Sequence, residues 1–562
     1  MHLLPAINYI SGTLSALALI IVLGSVLIKK DVLIKEIKEI PRSFIVAGLG
    51  LLFWFIFLVE KSFSGRQDMG VWLFSLPNLN SWIELIPEVR SPIYFWRSRA
   101  LIEIFDGISY EFLAVFSFAT FIASIFLVYL AIKNITENKS AAYLSSLFYA
   151  FYPITFTYSM TEDYVLLAIF FAILSLFFAS LWIKKRNESY LFPMAASALL
   201  SAASRVDYIF FPYLIIFLYI LFSENRKEGK FWKTVLAFIV FFIPRTLSSL
   251  GMYLDAAQND PGLTENLIQY TGNPFSYAIE IAIGFFGSFM INLQDSLRAY
   301  LNTSDLSLIF VVLGFLSLVL LFRKIDEKNK KLSFFLLFQF LFLFVFYNFL
   351  HPTGGATAPR YQITVMLPLL LLSGIFIGFI FKDKEHFSYL ISSTFLVFVF
   401  IFLIFPLTFR SYVNLLPDNS LKFDIAYYDE DLFREYNKYR ELSYENRISR
   451  LTKSEFDVFK KENTYFLING DRTFLHSMPI NGTFVPIFEN QELEEFYENV
   501  ESGALIYVIQ SEIGFTIHHV DGYSPIEPEK FKEKVLDLFE LEEILIDYEI
   551  DGHNPFLIRV RK

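Results

Sequence analysis

One recurring feature constrains this chain more than any other: long apolar stretches with at most one charge inside them. FIVAGLGLLFWFIFLV (44–59) and YVLLAIFFAILSLFFASLWI (164–183) are two examples. A bilayer core about 30 Å thick is crossed by about 20 helical residues, each rising ~1.5 Å. Runs of this kind occur at 4–28, 44–59, 109–132, 140–158, 164–183, 191–203, 208–222, 234–253, 306–322, 332–350, 361–381 and 387–409. The sixth is short and is read as a span through its neighbours. Hydrophobic residues make up 55% of the 562, a share that soluble proteins approach. There, however, apolar residues are interleaved with charge rather than collected into blocks. The chain is therefore expected to be a polytopic membrane protein. MHLLPAINYISGTLSALALIIVLGSVLIKK at the start lacks a basic n-region and a small-residue cleavage site, so it reads as a retained span. With no cysteine, disulfides and thiolate metal sites are excluded.

Charge orients the runs. One alternate set of connections (29–43, 133–139, 184–190, 223–233, 323–331 and 382–386) holds 21 Lys and Arg. The opposite short connections, 159–163, 204–207 and 351–360, hold only Arg205 and Arg360. The longer ones, 60–108 and 254–305, hold six between them. Basic loops stay in the cytoplasm, so the first set is assigned there. This sorting requires that YAIEIAIGFFGSFMI (277–291) does not span, and it is read as re-entrant or interfacial. About twelve spans follow, with both termini outside.

After Phe409 the pattern changes. Residues 410–562 carry 17 basic and 30 acidic side chains, whereas 1–409 are slightly basic. Short β-like runs such as TYFLIN, ALIYVIQ and PFLIRVRK alternate with acidic helical stretches. The expected fold class is thus an all-α polytopic membrane bundle (1–409) followed by a soluble, extracytoplasmic α/β domain (410–562).

Chemistry-bearing residues gather on the predicted outer face. The 60–108 loop carries Asp68 in SFSGRQDMGVW, with Trp72, Trp82, Tyr94 and Trp96. Such aromatics suit a membrane interface and also stack on sugar faces. YSMTEDYVLL places Glu162 and Asp163 at the mouth of a span; acids there are either simply solvated or functional. Arg205 (SRVDY), Arg245 (FFIPRTL) and Arg360 (APRYQ) are cations on a face otherwise poor in them. A guanidinium fork matches phosphate oxygens, although anchoring a helix end among headgroups is the plainer role. No Walker loop or GxGxxG is present.

The order of these elements resembles the GT-C superfamily of polytopic glycosyltransferases, in particular the branch of protein O-mannosyltransferases and lipid A aminoarabinose transferases (family 39-like). The likeness runs over roughly 44–409. It rests on QDMGVW, RSPIYFWRSRALIEIF, the YSMTEDYVLL hairpin, ASRVDYIFFPY, YTGNPF (270–275) and PRYQITVMLP. Two departures are visible: Asp68 is followed by Met69 rather than a second acid, and Arg90-Ser91-Pro92 stands where the family often has His-Pro-Pro. The resemblance implies a sugar donor on a polyprenyl or dolichyl phosphate and a protein, lipid or glycan acceptor. In that scheme Asp68 is general base, Glu162 or Asp163 assists, and Arg205, Arg245 and Arg360 bind the lipid phosphate. Trp72 and Tyr94 are assigned to sugar or acceptor. No metal ligands are assigned, though a divalent metal is compatible with such a reaction; membrane lipids are expected partners and nucleic acid is not. A multi-pass transporter or flippase is the alternative. It would be expected to show repeated halves and mid-membrane charges, whereas ionisable residues outside the basic loops here gather at one face.

Overall fold

A computed structural model describes residues 4–62, 92–105, 110–152, 155–156, 159, 164–205, 208–224, 228–259, 312–314, 316–317, 326–346, 359–381, 464–469, 483–487, 490–510, 528–547 and 556–562. These divide into two compact units. One takes in Met1–Phe57, Ser81–Trp96 and Phe116–Glu430; the other takes in Leu58–Asn80, Arg97–Val115 and Asp431–Lys562.

Helices come where the apolar runs demand them: α1 (Leu4–Ile28), α2 (Lys30–Ile37), α3 (Arg42–Ser62), α4 (Pro92–Phe105), α5 (Tyr110–Thr136) and α6 (Lys139–Phe151). They continue with α7 (Tyr164–Lys185), α8 (Leu191–Ser204), α9 (Phe211–Phe222), α10 (Gly229–Asn259), α11 (Glu327–Val345) and α12 (Pro359–Ile380). Among the described residues, five helices are long and apolar enough to cross a membrane, or six if the pair α2 and α3 is one broken span. That pair bends by 94° beside Pro41, whose ring denies a donor to the helix and biases Ile40 away from helical geometry. The multi-pass helical character read from the sequence is borne out. The runs at 277–291 and 387–409 lie outside the described residues.

Two short helices show why length alone undercounts. All but one of the 14 residues of α8 are buried, and its sequence, LFPMAASALLSAAS, is rich in small side chains. Small residues let helix backbones approach closely in an apolar surround. Ser175 Oγ of α7 donates to the Met194 carbonyl at 2.7 Å, and Ser201 Oγ of α8 donates to that of Ala168 at 2.8 Å. Helix α6 is packed the same way on α12. Its cap, Asn138, accepts from Ala141 N at 3.2 Å and donates through Nδ2 to the Gly378 carbonyl at 3.0 Å.

The basic loops come together at one end of this unit. Lys184 and Lys185 reach the buried Glu36 at 3.1 and 3.3 Å, and Lys133 pairs with Glu39. Lys230 meets Glu188 at 2.7 Å, Arg186 meets Glu224, and Lys328 meets Glu137 at 3.4 Å. The connections 29–43, 133–139, 184–190, 223–233 and 323–331, grouped by charge alone, thus form one surface. Helix lengths of about 20 Å or more then carry the C-terminus of α8 and the N-termini of α7 and α12 to the opposite end.

The second unit contains a five-stranded sheet of order β2-β1-β3-β5-β4, from β1 (Thr464–Asn469), β2 (Thr483–Ile487), β3 (Leu505–Gln510), β4 (Glu540–Asp547) and β5 (Phe556–Arg561). β1 runs parallel to β2 and β3, and β5 runs antiparallel to β3 and β4. The alternate positions Leu467, Ile506, Val508, Ile558 and Val560 form a buried core with Leu493 of α13 (Asn490–Asn499) and Phe531 and Val535 of α14 (Pro528–Leu538).

Candidate active site

The end opposite the basic surface collects three of the predicted elements in the first unit. Helix α8 stops at Arg205, which is extended (φ −156°, ψ 134°) and 3% exposed. The last carbonyls of a helix lack intrahelical donors and carry the negative end of its dipole. Arg245 answers this need: its Nε and Nη2 donate to the Ala202 carbonyl at 3.1 and 2.9 Å. Arg245 sits one residue after Pro244 inside α10 and is 2% exposed. The fold therefore brings Arg205 and Arg245 to the same helix end. It also commits part of Arg245's donor fork to backbone.

Arg360 is the second residue of α12. One turn further in, Thr364 hydrogen-bonds the buried Tyr208 hydroxyl, and Tyr208 N donates to the Arg205 carbonyl at 3.1 Å. This chain of contacts ties the Arg205 turn to the first turns of α12. Sequence reasoning passed over Tyr208 and Thr364; the signal available was a tyrosine three residues after Arg205 in SRVDY. A tyrosine in an apolar setting needs a hydrogen-bond partner.

Of the acidic hairpin and its flanks, the structure describes the start of α7. Paired contacts Ser175–Met194 and Ser201–Ala168 set an antiparallel register that puts Tyr164, the first residue of α7, level with Arg205. Asp163 directly precedes Tyr164 in the chain. Glu162 and Asp163 themselves lie outside the described residues, as do Asp68 and Trp72. The described element that precedes Asp68 in the chain is α3. Trp54 and Phe55 of α3 pack on Phe156 (6.0 Å between ring centres) and Phe118 (4.4 Å, stacked), and Phe156 lies 6.0 Å from Phe151. The aromatic cluster joins the outgoing end of α3 to the segment that leads into the hairpin.

Tyr94 is fully buried in α4, edge-on to Phe95 at 5.8 Å. A buried ring serves packing rather than stacking on a sugar that arrives from water. A cavity of about 30 Å³ lies among α7, α9, α11 and α12, lined by Ala172, Phe211, Phe335, Gln339 and Leu367 among others. Its volume suits about one water, not a sugar. Among the described residues no cluster of three or more His, Asp or Glu could hold a metal ion.

Residues 89–247 match the model of a family described as dolichyl-phosphate-mannose-protein mannosyltransferase. The matched segment runs from α4 into α10 and includes the hairpin acids, Arg205 and Arg245. Two solved structures are similar to the chain: ArnT from Cupriavidus metallidurans bound to undecaprenyl phosphate (12% identity, TM-score 0.45) and the same protein in the apo state (11% identity, TM-score 0.46). Each alignment covers 92% of this chain and 98% of the other. No curated protein matches the chain. The likeness to membrane glycosyltransferases read from the sequence is borne out by the family match.

Proposed function

On the premise that the chain is a membrane glycosyltransferase of the GT-C superfamily, we propose that it transfers a sugar from a polyprenyl- or dolichyl-phosphate donor to an acceptor hydroxyl at the outer membrane face. The observation that carries this reading is the convergence, at the end opposite the basic loops, of Arg205, Arg245, the start of α12 with Arg360, and the start of α7. A cationic helix end suits a reaction that releases a lipid phosphate.

In this mechanism Asp68 takes the proton of the acceptor hydroxyl. The oxygen attacks C1 of the sugar, the bond from C1 to the phosphate oxygen breaks, and configuration at C1 inverts. A carboxylate base must stay ionised yet be partly stripped of water, conditions met at a bilayer boundary. Arg360 and Arg205 stabilise the charge that develops on the departing phosphate. Arg245 acts behind them as a positioning residue, holding the end of α8 through Ala202. Glu162 or Asp163 orients the acceptor. Trp72 provides a sugar-facing ring, while Tyr94 stays in the packing of α4. The C-terminal α/β domain belongs, in this reading, to the outer side of the membrane.

The test is Asp68→Asn in purified full-length protein with a radiolabelled polyprenyl-phosphate sugar. Transfer is expected to fall by at least about a hundredfold, the usual contribution of general base catalysis, with expression and donor binding retained. Transfer at the normal rate would remove Asp68 from the mechanism.

A further inference from the structure

Two ammonium groups are held over one ring at the basic end of the bundle, far from the arginine cluster. Lys29, the first residue after α1, places Nζ 3.9 Å from the centre of the Tyr190 ring and hydrogen-bonds Ser189 Oγ. Lys185, in the last turn of α7, has its Nζ 6.0 Å from the same centre. Like charges so close repel, and the ring face offsets only part of that cost. Glu36 is shared between Lys184 and Lys185, and Glu39 is engaged by Lys133 with Lys35 and Lys184 close by. Glu36 and Glu39 thus serve Lys35, Lys133, Lys184 and Lys185, and Glu188 is taken by Lys230. Burial first and Lys185 second hold the Lys29 ammonium below its ordinary pKa.

The surroundings name the missing anion. Leu27 and Ile28, the last two residues of α1 before Lys29, leave 72% and 85% of their surface open. On a membrane-spanning helix such side chains face acyl chains. Trp232 of α10, 60% exposed, stands two residues after Lys230, which is bound to Glu188 next to Ser189; tryptophan favours the headgroup level. An anion reaching Lys29 along this strip would be attached to hydrocarbon.

We propose that Lys29, Lys185 and Ser189 form a binding site for the phosphate of an anionic phospholipid whose acyl chains lie along α1. The two ammonium groups and the hydroxyl supply donors to the phosphate oxygens, and the negative charge relieves their mutual repulsion. This site is separate from the donor site proposed above and does not depend on it.

The experiment uses the full-length protein in mild detergent, titrated with dioleoylphosphatidylglycerol, dioleoylphosphatidylcholine or inorganic phosphate, with bound species counted by native mass spectrometry. The wild type should retain phosphatidylglycerol in preference to phosphatidylcholine. Lys29→Gln with Lys185→Gln should weaken that retention by about thirtyfold, the equivalent of the usual attraction of two lysines to an anionic surface. The Arg pair should keep it. Lys29→Gln alone, which leaves the Glu36 pairs intact, should weaken it about fivefold, so the test survives if the double variant misfolds. Equal retention of both lipids, or unchanged retention in the Lys29→Gln protein, overturns the proposal. Lysine-dependent binding of inorganic phosphate without preference for the anionic lipid overturns the lipid assignment.

Discussion

Helix α12 carries Arg360 at its start, and two glycines one turn apart seat it against α6. A β-carbon added at Gly374 would meet Ser145 N at 2.3 Å and its Cα at 2.4 Å. One added at Gly378 would meet Ala141 Cα at 2.3 Å and N at 2.4 Å. These are backbone atoms and cannot swing aside. Ordinary carbon contacts need about 3.5–4.0 Å, so either alanine must part the helices by more than about 1 Å. Parting them weakens the bonds from Ser145 Oγ to the Leu371 carbonyl (2.9 Å) and from Asn138 Nδ2 to the Gly378 carbonyl (3.0 Å). Overpacking costs about 1–3 kcal/mol, and polar contacts between membrane helices contribute about 0.6 kcal/mol each. Against this, alanine is favoured over glycine within a helix by up to about 1 kcal/mol. The net expectation for Gly374→Ala or Gly378→Ala is about 2–3 kcal/mol of destabilisation. In detergent, a fluorescence melt should show the apparent Tm lowered by about 5 °C. Sugar transfer should drop with it, because α6 leads to the acidic hairpin and α12 begins with Arg360. Gly24→Ala in α1 and Gly50→Ala in α3 are the controls. Nothing lies within 4 Å of either added carbon, so these should melt at or slightly above the wild type. Should the α12 variants match these controls, the close approach of α6 and α12 is not what holds them together.

Two further outcomes follow from the same packing. Arg245→Met keeps the bulk of the side chain and removes both bonds to Ala202, and should destabilise by about 2–3 kcal/mol, as for hydrogen bonds to a charged group. The KM for the lipid donor should move less than in Arg360→Gln; an unchanged melt with a sharply raised KM would make Arg245 a donor ligand instead. Glu39 is held below its ordinary carboxylate value of 4.5, first by the hydrogen bond from Lys133, with desolvation opposing and the charges of Lys133, Lys184 and Lys35 adding. A depressed folded pKa stabilises above the unfolded value and loses that effect as pH falls through the folded one. The Tm difference between wild type and Glu39→Gln should therefore be full at pH 7 and shrink below about pH 4.5. A difference that is constant down to pH 3 would refute the assignment.

Much of this was legible in the sequence because membrane physics writes it there. Backbone groups must be satisfied inside the apolar layer, so an uncharged run such as 164–183 could become little other than α7. The bias of Lys and Arg between alternate loops grouped five connections that the fold then joins through Glu36, Glu39, Glu188, Glu224 and Glu137. It also left Arg205, Arg245 and Arg360 together at the opposite end. What those arginines do was not legible. Arg245 reads as a charge in an apolar run, and only the crossing of α10 with α8 reveals that the guanidinium meets the Ala202 carbonyl. Tyr94 reads as an interfacial aromatic until the packing of α4 buries it. The pairing of Gly374 and Gly378 with Ser145 and Ala141 joins positions more than 200 residues apart, and the Lys29–Tyr190–Lys185 stack joins positions about 160 apart. Periodicity and charge count act along the chain. Which side chains share an apolar layer's few polar contacts is decided by how helices cross, and that depends on shape complementarity between distant segments, which tertiary structure alone supplies.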